Sequence, residues 1–211
     1  MDIDMAVQIS VTAQEVGITP LVRVPGFQHF HASRVLDGGA QGIVVPHVDD
    51  KDVAQRMVDQ CKYPPVGLRS VTGAQPMLDF ANYPMSEATE AVNAATFLVI
   101  MLETPTAISN VDEIARVPGV DALLIGTNDL CMELNIPGQL DHPSIIKAYD
   151  ATISACKKNG KYVGMGGIYS PDLIEKYVTM GVQMVLGGSD LGLMISAGKE
   201  QTAKIRNIIK P

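Results

Sequence analysis

The chain has 211 residues, with 16 Lys and Arg against 23 Asp and Glu, a formal net charge of −7. Hydrophobic residues at 46% and charged residues at 18% describe a folded globular chain rather than a disordered one, and the acidic balance argues against nucleic acid or an anionic membrane surface as the main partner. No apolar run approaches the ~20 residues of a membrane span, the opening MDIDMAVQIS has no basic secretory n-region, and Cys61, Cys131 and Cys156 stand far apart with no C-x-x-C pair. Disulfide scaffold and zinc ribbon are both disfavoured by that spacing, and a reducing cytoplasm is the expected compartment.

Short, continuous apolar runs alternate with helical periodicity along the chain. Leu21–Val24 (LVRV) and Gly42–Val45 (GIVV) read as strands, followed by a helix with Val53, Met57 and Cys61 at i, i+4, i+8. Phe97–Leu102 (FLVIML) is the third strand; Thr104-Pro105 opens a helix whose Ile108, Val111 and Ile114 share a face. Asp121–Ile125 (DALLI) is the fourth, and His142-Pro143 starts a helix with Ile145, Tyr149, Ile153 and Cys156 on one face and Gly160 at its stop. Tyr162–Met165 (YVGM) is the fifth strand, Ser170-Pro171 begins a helix stopped by Gly181, and Met184–Leu186 (MVL) is the sixth. Strands that are apolar throughout are those of a parallel sheet covered on both faces. With no linker, low-complexity tract or charge block, the expectation is a single α/β domain over residues 1–211.

A closed (β/α)8 TIM barrel takes about 250 residues, and six βα units are legible here rather than eight. The doubly wound sheet competes, but no strand is followed by its G-x-G-x-x-G turn. The count favours a TIM-type barrel with two units missing or unrecognised.

In such a barrel the chemistry sits at the C-terminal ends of the strands. There the chain carries Pro46-His47, Glu103-Thr104, Gly126-Thr127-Asn128-Asp129, Gly166-Gly167 and Gly187-Gly188-Ser189-Asp190. Glu103 and Asp129 follow buried strands closely enough to point into one mouth, and two oxygen ligands suit a hard cation: Mg²⁺, Mn²⁺ or Co²⁺. The same positions also suit helix caps or turns. Between the second and third strands lie residues 46–96, with Lys62-Tyr-Pro-Pro-Val-Gly-Leu-Arg69 stiffened by two prolines. A guanidinium held there can stabilise an enolate if it reaches the mouth, or decorate a surface loop. His29 and His31, two apart, share no helical face; His142 reads as a cap, and His47, at a strand end, either packs there or reaches the mouth. Gly164, Gly166, Gly167, Gly187 and Gly188 could cradle phosphate or simply serve turns.

Taken together, PLVRVPG (20–26), LDGGAQGIVVPHV (36–48), KYPPVGLRS (62–70), Met101-Leu102-Glu103-Thr104, GVDALLIGTNDL (119–130), DHP (141–143), NGKYVG (159–164) and LGGSDLGL (186–193) resemble the HpcH/HpaI aldolase family, related to citrate lyase β subunits. The resemblance runs in order through essentially the whole chain. It implies a metal-dependent aldol lyase that cleaves 4-hydroxy-2-oxo acids to pyruvate and an aldehyde. Glu103 and Asp129 would ligate the divalent metal, Arg69 would stabilise the enolate, and the turn of Gly126, Thr127 and Asn128, with Asp129, would bind the substrate's oxygens. It departs from the family at Met101, Thr127 and Asn128, where Gln, Pro and a small residue are usual. The family's D-x-E-H-type motif, which supplies the acid–base His, would precede the segment resembling residues 2–16, so the expectation is an N-terminally shortened barrel, with metal-bound water as the remaining base and reduced turnover. Two rival readings stand beside it: a barrel that binds metal and 2-oxo acid without turnover, and a phosphate-binding barrel enzyme. The resemblance also implies a homo-oligomer, often a hexamer, whose last helix packs on a neighbour; the apolar face of Ile205, Ile208 and Ile209 suits that, or docking on the chain's own barrel.

Overall fold

The computed structural model describes residues 1–209, apart from the side chains of His29 and Ile209, so the readings placed on those two side chains lie outside the described residues. In chain order it runs α1 (Ile3–Glu15), β1 (Leu21–Arg23), α2 (His29–Asp37), β2 (Gly42–Val45), α3 (Lys51–Cys61), a 3-10 turn at Pro76–Leu78, α4 (Met85–Ala95) and β3 (Phe97–Leu102). It continues with α5 (Pro105–Ser109), α6 (Val111–Ala115), β4 (Ala122–Gly126), α7 (Thr127–Glu133), α8 (Pro143–Asn159), β5 (Tyr162–Gly166), α9 (Pro171–Met180), β6 (Met184–Val185) and α10 (Asp190–Ile209).

The six strands form one parallel sheet in the order β1-β2-β3-β4-β5-β6, each paired with the next in sequence. A doubly wound sheet reverses its direction of growth at a switch point; this one never does. Right-handed crossovers repeated in one direction stack their helices on one side of the sheet. The side chains obey that arrangement with a period of two. Ile43, Val45, Leu98, Ile100, Leu102, Leu123, Ile125, Val163 and Met165 pack in the main core with Met57, Ile114, Tyr149 and Tyr177 from the helices. The alternate residues Val44, Val99, Met101, Ala122 and Leu124, with Leu21, Phe97 and Met184, form a separate cluster on the concave face. The result is an open, six-stranded half-barrel, the incomplete relative of a TIM barrel. On β5 the concave positions are Gly164 and Gly166; a Cβ on Gly164 would lie 2.9 Å from Leu124 Cβ, so the glycine lets Leu124 lean across the floor.

Helix starts follow the sequence signals. Asp50 accepts from Val53 N at 2.8 Å, Thr104 Oγ1 accepts from Ala107 N at 3.0 Å, and His142 Nδ1 accepts from Ser144 N at 3.2 Å. The face expected to unite Ile108, Val111 and Ile114 belongs to two short helices instead, because the chain breaks at Asn110, whose Nδ2 donates to Asp49 O at 2.8 Å. At the N-terminal edge of the sheet, the buried Lys62 Nζ donates to Asn93 O at 2.9 Å and to Thr96 O, and lies 3.5 Å from Asp121 Oδ2, which also accepts from Leu98 N at 2.7 Å. At the far end of the chain, α10 leaves Leu191, Leu193, Met194, Ile195, Ile205 and Ile208 exposed. Ile205 and Ile208 therefore do not dock on the chain's own sheet.

Candidate active site

Glu103 continues the concave register of Phe97, Val99 and Met101 one step beyond β3. Its side chain is only 3% exposed. His47 holds one of its oxygens: the His47 backbone N–H donates to Glu103 Oε2 at 2.7 Å, and Nδ1 of the same residue lies 3.2 Å from it. His47 takes up a left-handed backbone, φ 54°, a conformation in which a non-glycine residue is strained. The other oxygen, Oε1, lies over Gly126, where a Cβ would come within 2.7 Å of it and 2.6 Å of Glu103 Cγ. Only a glycine permits Glu103 to lie there.

Gly126 ends β4, and three residues on, in the first turn of α7, stands Asp129. Asp129 is exposed on the rim, and its carboxyl is near enough to act electrostatically on Glu103. Burial pushes the Glu103 carboxyl above the ordinary carboxylate range; Asp129 pushes in the same direction, against the opposing influence of His47. Two neighbouring carboxyl groups on a strand-end rim are of the oxygen-donor type that hard divalent cations take, and such a charge would relieve their repulsion. Among the described residues no cluster of three or more His, Cys, Asp or Glu side chains converges. The protein thus offers two carboxylates, and water and substrate oxygens would complete a coordination shell.

The neighbouring turn divides its labour. Thr127 is fully buried and its Oγ1 is hydrogen-bonded to Tyr149 Oη at 2.8 Å, so its hydroxyl faces the helix layer and only its backbone remains to meet a substrate. Asn128 is exposed at the rim, with Nδ2 donating to Gly167 O at 3.3 Å. The glycines read as a phosphate cradle have other work at Gly164 and Gly166, which make room for Leu124 and Leu186, and at Gly167, which stands against Asn128.

Arg69 does not join this group, contrary to the sequence expectation. Its guanidinium is 1% exposed, pairs with Asp37 at 2.6 Å and stacks over the Tyr63 ring at 4.6 Å, while its backbone N–H donates to Lys62 O. Asp37 and Lys62 stand where α2 and α3 end, at the N-terminal edge of the sheet. The physical reason is direct: a helix that follows a strand runs back down the barrel, so the loop after α3 emerges at the edge opposite the mouth. Arg23, which sequence reasoning passed over, is the last residue of β1, shares the concave register of Leu21 and Val44, and is exposed. The strand-end rule that picked Glu103 would also have picked Arg23.

Burial pushes the Cys61 and Cys156 thiols up to about 12, and both are free. Among the described residues no helix is long and apolar enough to cross a membrane.

A parallel half-barrel carrying paired carboxylates on its C-terminal rim defines a class of barrel enzyme, and comparison with known proteins narrows it. Residues 1–197 match the model of the HpcH/HpaI aldolase/citrate lyase family. The chain is 35% identical over 200 residues to a 4-hydroxy-4-methyl-2-oxoglutarate aldolase of Chaetomium globosum, covering 91% of this chain and 73% of that protein. It is also 35% identical over 191 residues to a 4-hydroxy-2-oxovalerate aldolase of Rhodococcus jostii, covering 89% and 71%. The crystal structure of an HpcH/HpaI aldolase from Desulfitobacterium hafniense superposes with a TM-score of 0.91 at 28% identity, covering 100% of this chain and 80% of that one. The chain belongs to the HpcH/HpaI aldolase/citrate lyase family and is a carbon–carbon lyase of the aldolase kind.

Proposed function

We propose that this aldolase cleaves 4-hydroxy-2-oxo acids to pyruvate, or a close 2-oxo acid, and an aldehyde, with a divalent cation, Mg²⁺ or Mn²⁺ or alternatively Co²⁺, held by Glu103 and Asp129. The observation that carries this reading is a buried Glu103 carboxyl lying over Gly126, three residues before Asp129, whose carboxyl acts on it electrostatically. The substrate class is supported by the names of the similar aldolases, which act on 4-hydroxy-2-oxo acids. Bound there, such a cation supplies Lewis-acid polarisation of the substrate's 2-oxo group.

The chain's own residues do the rest. Glu103 and Asp129 fix the depth at which the 2-oxo acid sits, above a dry floor of Met101 and Leu124. In this reading the backbone N–H groups of the Gly126–Thr127–Asn128 turn, with Asn128 exposed at the rim, meet the substrate's carboxylate. Arg23 takes the role first given to Arg69: a cation on the concave face that stabilises negative charge developing on the 2-oxo acid as the C3–C4 bond breaks. The cleavage leaves the electron pair on C3 as the enolate, and the C4 hydroxyl proton passes to water.

We extend the proposal to assembly. The open apolar residues of α10 fit a homo-oligomer, a hexamer by family resemblance, in which a second copy covers that helix. The partners are otherwise small molecules. The three separate, buried thiols suit a reducing compartment such as the cytoplasm.

Pyruvate release from a 4-hydroxy-2-oxo acid, measured with and without EDTA and after adding back Mg²⁺ or Mn²⁺, tests the reading. Turnover that EDTA abolishes and the metal restores is expected. Turnover indifferent to EDTA would remove the metal from the reading, while tight oxalate binding with no turnover would make the barrel a binding protein.

A further inference from the structure

Glu103 has two oxygens, and the structure treats them unequally. Oε2 receives the His47 backbone N–H at 2.7 Å and has His47 Nδ1 at 3.2 Å; Oε1 lies over the bare Cα of Gly126, at the head of the segment that carries Asp129. A free carboxylate at the end of a side chain with three rotatable bonds would rotate between monodentate and bidentate arrangements, and each arrangement would cost order on binding. Here one residue fixes the choice, and it does so from an unusual backbone: the left-handed conformation at His47 brings its N–H and its imidazole to the same oxygen. The imidazole itself is 64% exposed, so it is not held there by packing.

We infer that His47 is the positioning residue of the carboxylate pair, capping Glu103 Oε2 so that Oε1 alone is presented, together with Asp129, to a divalent cation. The inference rests on the metal site proposed above. It extends a common rule of metal centres, in which the groups that orient a ligand matter almost as much as the ligand.

Substitutions separate the two contacts. His47→Gly keeps the backbone N–H and accepts the positive φ without strain, but removes the imidazole. His47→Asn returns an amide N–H to the place of Nδ1 on a side chain that tolerates the left-handed region, whereas His47→Gln carries its amide one bond further, near the place of Nε2.

The test is a Mn²⁺ titration of the full chain, with free Mn²⁺ read by electron paramagnetic resonance. Wild type is compared with Glu103→Gln and the three His47 variants, each shown by circular dichroism to be folded. Expected are loss of binding in Glu103→Gln, binding weakened about tenfold in His47→Gly and His47→Gln, and recovery in His47→Asn. Wild-type affinity in His47→Gly, with binding still lost in Glu103→Gln, would overturn the positioning role and leave the metal site standing. Equal loss in His47→Gly and His47→Asn would also overturn it. A wild-type chain that binds no Mn²⁺, or a Glu103→Gln variant that binds it unchanged, would overturn the site and the inference together.

Discussion

At Gly126 a single hydrogen atom stands where any other residue would carry a carbon, and Glu103 occupies the space so freed. Gly126→Ala should displace the carboxylate, lowering kcat/KM by at least about tenfold and costing about 1–3 kcal/mol of stability through overpacking. Gly187→Ala, on the same rim but with nothing within 4 Å of the added carbon, should change neither. Steady-state kinetics and thermal unfolding of the two variants check the contrast. The two arginines offer a second contrast. Arg69→Met should lose about 1–3 kcal/mol by stripping Asp37 of its partner, with kcat/KM unchanged; Arg23→Ala should lower kcat/KM and leave thermal stability nearly untouched, since Arg23 is exposed. The strand-end positions of Glu103 and Asp129 were legible because each stands just past an unmistakable strand. Arg69 was misplaced because a sequence does not show at which edge of a sheet a loop comes out, and that depends on the direction of the helix before it.

The elements themselves were easier to read than their joints. All six strands fall within a residue or two of the apolar runs that announced them, most sharply β2, β3 and β4, whose burial on both faces leaves no polar residue to blur the ends. The break between α5 and α6 was hidden, because the apolar spacing of Ile108, Val111 and Ile114 is the same in one bent helix as in two. Also beyond reach of pattern was the link from α7 to the helix layer, Thr127 Oγ1 to Tyr149 Oη, with Tyr149 stacked 4.1 Å from Tyr177 and Tyr177 Oη donating to Leu140 O at 2.6 Å. Tyr149→Phe should leave the Thr127 hydroxyl buried without its partner and cost about 1–3 kcal/mol, read from urea unfolding. These two rings also set an alkaline limit. Burial pushes Tyr149 well above the usual phenol range and Tyr177 up to about 12. The folded state therefore holds those protons more tightly than the unfolded one, whose tyrosines titrate near 10. The stability they contribute is full below pH 10 and is lost as pH rises from 10 toward 12. Absorbance at 295 nm should accordingly show these tyrosinates appearing together with the loss of helical circular dichroism, not before it.

Across the whole molecule, solidity falls from the middle of the sheet to its flanks. β2, β3 and β4 are buried along nearly their full lengths, whereas β1 and β6 are short and partly open. Hydrogen exchange should be slowest in β3 and β4 and fastest in β1, β6 and α10, as mass spectrometry of peptic fragments would show. If a second copy covers α10, sedimentation should give a species larger than the 22.5 kDa chain, and Leu193→Glu with Met194→Glu should shift it toward monomer. The strict succession of strands bears on how the molecule assembles as well as how it stands. Every pairing joins neighbours in sequence, yet the stretches to be closed differ: residues 24–41, 103–121 and 167–183 for β1–β2, β3–β4 and β5–β6, but 46–96 between β2 and β3. Ring closure is cheaper for the three short stretches, and of the pairs they join only β3 and β4 are both buried almost throughout. Folding should therefore nucleate on that central pair and spread outward in both directions, with each βα unit docking on a template already formed.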